Sequence, residues 1–166
     1  MIIAATGHRP EKLGGYSAES REKLREFAVE CLRPLTKVYQ VESVISGMAL
    51  GWDTAVAEAC VLLKIPFIAA VPFLGQEAMW NNGDQVGYRQ LLQVASQTVV
   101  VSQGFYAPEK MSVRNQWMVD HCGVLLALYD GSKGGTSNCV QYAMQQGVSI
   151  VNCWGAWQNF TTGEIS

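Results

Sequence analysis

Charged residues are scarce in this 166-residue chain, and neither sign is in marked excess. They make up 16% of the residues and the formal net charge at pH 7 is −2, with a pI of about 5.7. A protein that binds nucleic acid by coating its phosphates carries a strong basic excess. The composition therefore disfavours that class of function, although a local basic pocket is compatible with it.

Residues that commonly bind metals are also few and scattered. Histidine occurs only at positions 8 and 121, and no two of the cysteines form a CxxC pair; they are Cys31, Cys60, Cys122, Cys139 and Cys153. A zinc site needs clustered ligands, whereas isolated cysteines in apolar runs are typical of buried, reduced thiols. We therefore expect neither a metal nor another cofactor.

Long apolar runs are missing as well. No run approaches the roughly 18 residues of a membrane helix, and the apolar start at residues 1–6 is short and lacks the basic leader of a signal peptide. We expect a cytoplasmic protein without membrane contact. The length and the 49% of hydrophobic residues predict one well-packed domain over residues 1–166, with 154–166 as a C-terminal tail.

Short apolar segments alternate with helix-like segments along the chain. Strands are predicted at 2–6, 41–46, 66–72, 98–101, 124–129 and 148–153, and helices at 17–39, 52–64, 84–95, 112–121 and 135–146. Continuously apolar strands between helices are typical of a parallel sheet that is buried on both faces. The pattern predicts an α/β fold, a three-layer Rossmann-like domain with a mostly parallel central sheet.

The tail at 154–166 is aromatic at its start and polar at its end. This composition is compatible with packing on the domain or on a partner. Trp154 and Trp157 suit subunit packing, so we expect a homo-oligomer.

Three of the predicted strands end in polar, glycine-containing turns. After the first strand, Gly7 allows a tight turn and Arg9 offers donors suited to phosphate, although a loop arginine is also common at any surface. After the second, the segment 46–54 (SGMALGWDT) leads through two glycines into a helix, an arrangement that points backbone N–H groups at an anion. It matches neither GxGxxG nor a Walker loop, and the alternative is a tight connection with Asp53 in the first helical turn.

The third turn, at 129–138 (YDGSKGGTSN), repeats this arrangement after a later strand. Gly134 and Gly135 let the main chain approach a ligand, and Thr136 can cap the helix or bind phosphate oxygens. Ligands of parallel sheets bind at the carboxyl ends of the strands. We therefore expect a pocket for a nucleotide or a nucleotide-derived phosphate ligand at this edge.

Four segments, TGHRP, SGMALGWDTAVAEA, RNQWMVD and VLLALYDGSKGGT, together resemble the SLOG superfamily. The resemblance spans roughly residues 2–152 and is to the YpsA/YoqJ-like branch, found in bacteria and prophages and related to the nucleotide-binding fold of the DNA-processing protein DprA. It implies a Rossmann-like fold with a nucleotide pocket built by these loops. The implied and loop-derived ligand residues are Gly7, His8, Arg9, Ser46, Gly47, Met48, Gly51, Trp52, Asp53, Arg114, Asn115, Asp130, Gly134, Gly135 and Thr136, and Asp120 also matches RNQWMVD.

The third turn also resembles that of two enzyme groups, the cytokinin-activating LOG phosphoribohydrolases and the nucleoside deoxyribosyltransferases. Both carry Gly-Thr-x-x-Glu, in which the glutamate serves the cleavage of an N-glycosidic bond. Here Cys139 stands in place of that glutamate, and a thiol with an ordinary pKa offers no stable anion near neutral pH. This departure favours binding over catalysis.

Three functions remain open. The favoured one is a sensor, carrier or sequestering protein for a nucleotide-type ligand. An enzyme acting on nucleotides or nucleosides would need another carboxylate, and the available ones show no acid/base spacing: Asp53, Glu58, Glu77, Asp84 and Asp120. A DprA-like DNA-associated protein is the third.

Four residues have two possible roles each. Trp52 and Trp80 are either base-stacking surfaces or core anchors. Arg114 and Asn115 either bind the ligand or serve helix capping and ion pairing.

Overall fold

The computed structural model describes residues 1–163 as a six-stranded sheet covered on both faces by helices. The strands are β1 Ile2–Gly7, β2 Ser43–Ser46, β3 Phe67–Val71, β4 Gln97–Val100, β5 Val124–Leu128 and β6 Ser149–Asn152. The helices are α1 Ala18–Val38, α2 Trp52–Leu63, α3 Asn82–Val94, α4 Pro108–Asp120, α5 Gly135–Gln145 and α6 Trp154–Thr162, with a short 3₁₀ helix at Pro10–Lys12. The predicted three-layer Rossmann-like α/β fold is confirmed.

All neighbouring strands are parallel, in the order β4-β3-β2-β1-β5-β6. The chain builds the sheet outward from β1 to β4 and then returns to the other side of β1 with β5 and β6. The helices that follow β1 and β5 therefore cover opposite faces, which opens a crevice between the carboxyl ends of these two strands. This reversal of strand order positions the site described below.

The core forms two layers because successive strand residues point to opposite faces. In β1, Ile3 and Ala5 pack in the layer that contains α1 and α2, whereas Ala4 packs in the layer that contains α4 and α5. All five residues of β5 are buried, while the edge strands β4 and β6 are partly exposed. Burial on both faces explains the continuous apolar runs of the inner strands.

Helix starts differ from the prediction where a cap or proline sets them. Helix α4 begins at Pro108 rather than at residue 112, since proline's fixed φ suits the first helical position. Helix α3 begins at Asn82 rather than at residue 84, because the Asn81 side chain caps it by accepting from the Asp84 amide at 2.9 Å. Strand β2 begins at Ser43, two residues later than predicted.

The described part of the tail packs on the domain. Residues Trp154–Thr162 form α6, and the side chain of Trp157 is only 5% exposed, with its ring 5.1 Å from that of Phe27 in α1. Trp154 lies edge-on to the His8 ring at 5.7 Å. Both tryptophans thus pack against residues of the same chain, and their contacts give no support to the expected homo-oligomer. The last three residues of the predicted tail, 164–166, lie outside the described residues.

Trp52, at the start of α2, is a core anchor and not a stacking surface. Its side chain is 0% exposed, lies 5.9 Å from the Phe27 ring, and donates from Nε1 to the carbonyl of Leu126 at 3.4 Å. Because no part of the indole reaches solvent, the expectation that Trp52 contacts a ligand is wrong.

No helix among residues 1–163 is long and apolar enough to span a membrane.

Gly7→Ala should destabilise the protein because an added Cβ would lie 2.5 Å from the Trp52 ring. We expect a loss of roughly 1–3 kcal/mol in the free energy of unfolding from this overpacking, measured by urea denaturation. Gly87→Ala in α3 is the matched control, since its Cβ would meet no atom within 4 Å. Equal stability of the two variants would contradict this packing.

Candidate functional site

A cavity of about 350 Å³ opens at the carboxyl ends of the strands, beside the reversal between β1 and β5. Loops after β1, β2 and β5 and the helix α4 meet there. The predicted site residues in its wall are Gly7, His8, Arg9, Asp53, Arg114, Asn115, Gly134, Gly135 and Thr136. Those that lie behind the wall are Ser46, Gly47, Met48, Gly51, Trp52 and Asp130.

The wall also contains residues that the sequence reasoning did not select: Thr6, Glu11, Lys12, Ala49, Met111, Ser132 and Lys133. Ser132 and Lys133 belong to the glycine-rich turn already recognised, so their place in the chain could have identified them. Lys12 lies on the 3₁₀ helix, which has no strong sequence signal beyond Pro10.

The start of α5 presents unpaired backbone donors to the cavity. The amides of Gly135, Thr136 and Ser137 precede the first hydrogen bond of the helix, which runs from Asn138 N to Gly134 O, and no side chain among residues 1–163 caps them. A Cβ on Gly135 would meet no atom within 4 Å. This helix end therefore faces open space with free N–H groups and a partial positive charge.

The turn before α2 looks similar in sequence, but four of its amides already have acceptors within the protein. They are Met48 N on Ser46 Oγ, Ala49 N on Asp53 Oδ2, Trp52 N on His8 O, and Thr54 N on Ala49 O. These four N–H groups are therefore not free to bind an anion. The alternative of a tight connection with Asp53 in the first helical turn is the structure found.

Gly51 makes that tight connection possible. Its φ is +96°, and a Cβ would lie 2.5 Å from the carbonyl oxygen of His8 and 2.9 Å from Arg9 Cα. The α2 turn is thus pressed directly against the end of β1. This contact fixes the loops after β1 and β2 relative to each other.

Arg114 in α4 is a buried cation without a direct ion pair among residues 1–163. It is 4% exposed, and its guanidinium donates to the carbonyls of Gly47 and Ala70 and, from Nε, to Asn115 Oδ1 at 2.9 Å. No acidic oxygen lies within 4 Å of it among residues 1–163. The alternative of a direct ion pair is thus wrong: the guanidinium is hydrogen-bonded to neutral oxygens, and Asp53 acts on it only at longer range.

Asp53 supplies an acid that titrates near neutral pH. Burial raises its pKa to about 6, and the opposing effects of Arg114 and of the hydrogen bond from the Ala49 amide are smaller. A buried carboxyl and a buried guanidinium therefore share one wall of the cavity without a direct ion pair.

Asp130 holds two loops together from behind the wall. Its carboxylate accepts from Ser132 N at 2.8 Å and from Lys12 Nζ at 3.2 Å, and it lies 2.8 Å from His8 Nε2. Hydrogen bonds from the Ser132 hydroxyl and amide, together with Lys12 and His8, hold the pKa of Asp130 well below its usual range. Burial lowers the pKa of His8, so the imidazole is a neutral positioning group at pH 7.

The cavity is locally basic although the chain is slightly acidic. Its wall carries four basic side chains, Arg9, Lys12, Arg114 and Lys133, against the two acids Glu11 and Asp53. Arg9 is exposed and forms no ion pair within residues 1–163. The local charge favours an anionic ligand.

Cys139, which stands in place of the enzymes' glutamate, is a neutral thiol. It is buried, and this burial raises the pKa of its thiol to about 11. The carboxylates other than Asp53 considered from the sequence, Glu58, Glu77, Asp84 and Asp120, lie outside the cavity wall. Asp84 pairs with Arg21 at 2.5 Å.

The strand order and the cavity at its reversal define a Rossmann-like α/β protein. The family model YpsA, described as the YspA SLOG family, matches residues 3–151. The chain belongs to this family, which confirms the resemblance seen in the sequence.

Relatives of the chain support the same assignment. It is 33% identical over 137 residues to the SPbeta prophage-derived protein YoqJ of Bacillus subtilis (strain 168), covering 73% of this chain and 80% of YoqJ. It is 27% identical over 164 residues to a UPF0398 protein of Bacillus thuringiensis (strain Al Hakam), covering 91% and 86% of the two chains.

Solved structures share the fold at low sequence identity. DNA processing protein A (DprA) of Streptococcus pneumoniae superposes with a TM-score of 0.61 at 17% identity over 89% of this chain, which spans only 48% of that DprA chain. DprA of Helicobacter pylori, whose structure is described for its single-stranded DNA binding mode, gives a TM-score of 0.65 at 14% identity over 100% of this chain and 74% of that one. TM1055 gives a TM-score of 0.58 at 16% identity over 90% of this chain and 71% of that one.

Asp53→Asn should stabilise the protein in a pH-dependent way. Burial raises the pKa of Asp53 from an ordinary 3.8 to about 6, so ionisation favours the unfolded chain as the pH rises between these values. The advantage of the variant grows across that window and is constant above it. It reaches roughly 1–3 kcal/mol, since a tenfold change in proton affinity is worth about 1.4 kcal/mol.

Urea unfolding of both proteins on either side of the window measures this difference. Glu30→Gln, at an exposed position of α1, is the control and should show no such pH dependence. A stability difference for Asp53→Asn that is the same on both sides of the window would refute the raised pKa of Asp53.

Proposed function

We propose that the cavity binds the phosphate of a nucleotide or nucleotide-derived ligand, and that the protein is a sensor, carrier or sequestering protein for it. The observation that carries this proposal is that uncapped α5 amides and a buried guanidinium without a direct ion pair line the same cavity. Amides at a helix start and arginine side chains are both well suited to bind phosphate.

The donors of Arg114 leave one nitrogen available to a ligand. Nε and Nη1 are hydrogen-bonded to protein oxygens, whereas Nη2 has no such bond within residues 1–163. No enclosed side-chain nitrogen among the described residues lacks a partner, so Nη2 is accessible from the cavity. Arg114, Gly135 and Thr136 line the same cavity, so a phosphate bound there can reach all three.

The comparisons are consistent with this function. Phosphate is the chemical group common to nucleotides and to the single-stranded DNA of the H. pylori DprA description. The basic wall of the cavity suits either ligand. The net charge of −2 favours a small phosphate ligand over a polynucleotide, since broad phosphate contact requires a basic surface.

A second candidate function is an enzyme that cleaves nucleotides or nucleosides. It is favoured by Asp53, a buried carboxyl whose pKa of about 6 suits general acid/base work at the cavity wall. Release of free base from nucleoside monophosphates, lost in Asp53→Asn but retained in Glu77→Gln outside the wall, would establish this enzyme in place of the binding protein.

Gly135→Ala tests the phosphate site directly. A methyl group there enters the open space at the α5 amides and should weaken AMP binding at least tenfold, measured by isothermal titration calorimetry. The fold should not suffer, because alanine in a helix is more favourable than glycine by up to about 1 kcal/mol.

Gly155→Ala is the matched control. It also lies in the first turn of a helix, with no atom within 4 Å of its added Cβ, but outside the cavity wall. It should leave AMP affinity unchanged. If Gly135→Ala binds AMP as tightly as this control, or if salt-sensitive binding is found only with single-stranded DNA, the proposed nucleotide site is wrong.

A further inference from the structure

A second cavity, of about 250 Å³, adjoins the phosphate cavity. The two share Arg9, Ala49 and Met111 in their walls, so one ligand can extend from the first into the second. With volumes of about 350 and 250 Å³, the pair reaches the range of roughly 300–1,000 Å³ typical of small-molecule sites. The second is named the aromatic cavity after its rings, which are Tyr16, Phe73, Trp80 and Tyr106.

The rings of the aromatic cavity are only partly packed by the protein. Phe73 is buried, and Tyr106 stands edge-on to it at a centroid distance of 5.7 Å. Tyr106 is 69% exposed and Tyr16 46% exposed, while Trp80 packs edge-on against Tyr88 at 5.3 Å. Exposed ring faces beside a cavity gain free energy when a flat apolar group covers them.

The polar groups around these rings are mostly engaged with one another. Gln76 donates from Nε2 to the Gly47 carbonyl at 3.1 Å and accepts from the Tyr88 hydroxyl at 3.2 Å. The hydroxyl of Tyr16 donates to Glu11 at 2.6 Å. The aromatic cavity can therefore recognise a ligand by shape and stacking, with few groups left to read the hydrogen-bonding edge of a base.

We propose that the aromatic cavity is the subsite for the base of the nucleotide whose phosphate binds at α5. This inference rests on the proposed function, which it deepens. The sugar passes Arg9 and Ala49, where the two cavities meet. Because recognition is by stacking, purines bind more tightly than pyrimidines, in proportion to their larger flat face.

A third cavity, between α4 and α5, also adjoins the phosphate site but suits a base less well. It shares Met111, Asn115 and Gly135 with the phosphate cavity. Four of its other lining residues carry side-chain amides, namely Gln116, Asn138, Gln141 and Gln145. The one aromatic ring among its lining residues is that of Tyr142. The stacking surfaces thus lie on the other side of the phosphate site.

The test compares AMP with ribose 5-phosphate, two probes that differ by the base. Calorimetry on the unchanged protein should give about tenfold or more tighter binding of AMP. Tyr106→Ala should remove most of this difference and leave ribose 5-phosphate binding as it was. The fold should tolerate the change because Tyr106 is exposed, and thermal unfolding checks this. Gln141→Ala, in the third cavity, is the control and should change neither affinity.

The outcomes separate this inference from the proposed function. If both probes bind equally, or if Tyr106→Ala leaves AMP affinity unchanged, the base subsite is wrong even though phosphate still binds. Loss of AMP affinity in Gln141→Ala instead would place the base between α4 and α5 and likewise overturn it. If neither probe binds, or if Gly135→Ala has no effect on either, the proposed function itself fails and the base subsite falls with it.

Discussion

The hydrogen bond from the Arg114 guanidinium to the carbonyl of Gly47 is the contact on which the site depends. It joins α4 to the turn after β2, and a second bond from the same nitrogen reaches Ala70 in β3. A side chain at position 47 would prevent it, since a Cβ there would lie 2.8 Å from Arg114 and 2.7 Å from Asp53. A buried cation that is hydrogen-bonded only to neutral oxygens is costly, and an anionic ligand would add to the compensation that Asp53 gives.

The fold brings this cation to the same cavity as the uncapped start of α5. The reversal of strand order between β1 and β5 opens the crevice, and Asp130 holds the loops after both strands in a fixed relation. The close contact at Gly51 likewise fixes the loop after β1 relative to the loop after β2. A site that is held in place before the ligand arrives loses less entropy on binding.

Much of this arrangement could be predicted from the sequence, because local patterns determine it. The alternation of apolar runs and helices predicted the sheet, and Gly134, Gly135 and Thr136 predicted the α5 turn at the cavity. The two glycine-rich turns could not be told apart, since the amides of the α2 turn find their acceptors partly on residues that are distant in the chain, such as His8. Whether Trp52 stacks on a ligand or anchors the core depends on Phe27 in another helix, which no local pattern reveals.

Amide chemical shifts during an AMP titration test the central claim most directly. In ¹⁵N–¹H spectra, a phosphate at α5 should cause the largest saturable downfield shifts at Gly135, Thr136 and Ser137, whose N–H groups are unpaired. The amides of Met48 and Trp52, already bonded within the protein and outside both cavity walls, should move little. Shifts concentrated instead in the α2 turn, or none that saturate, would contradict a phosphate site at α5.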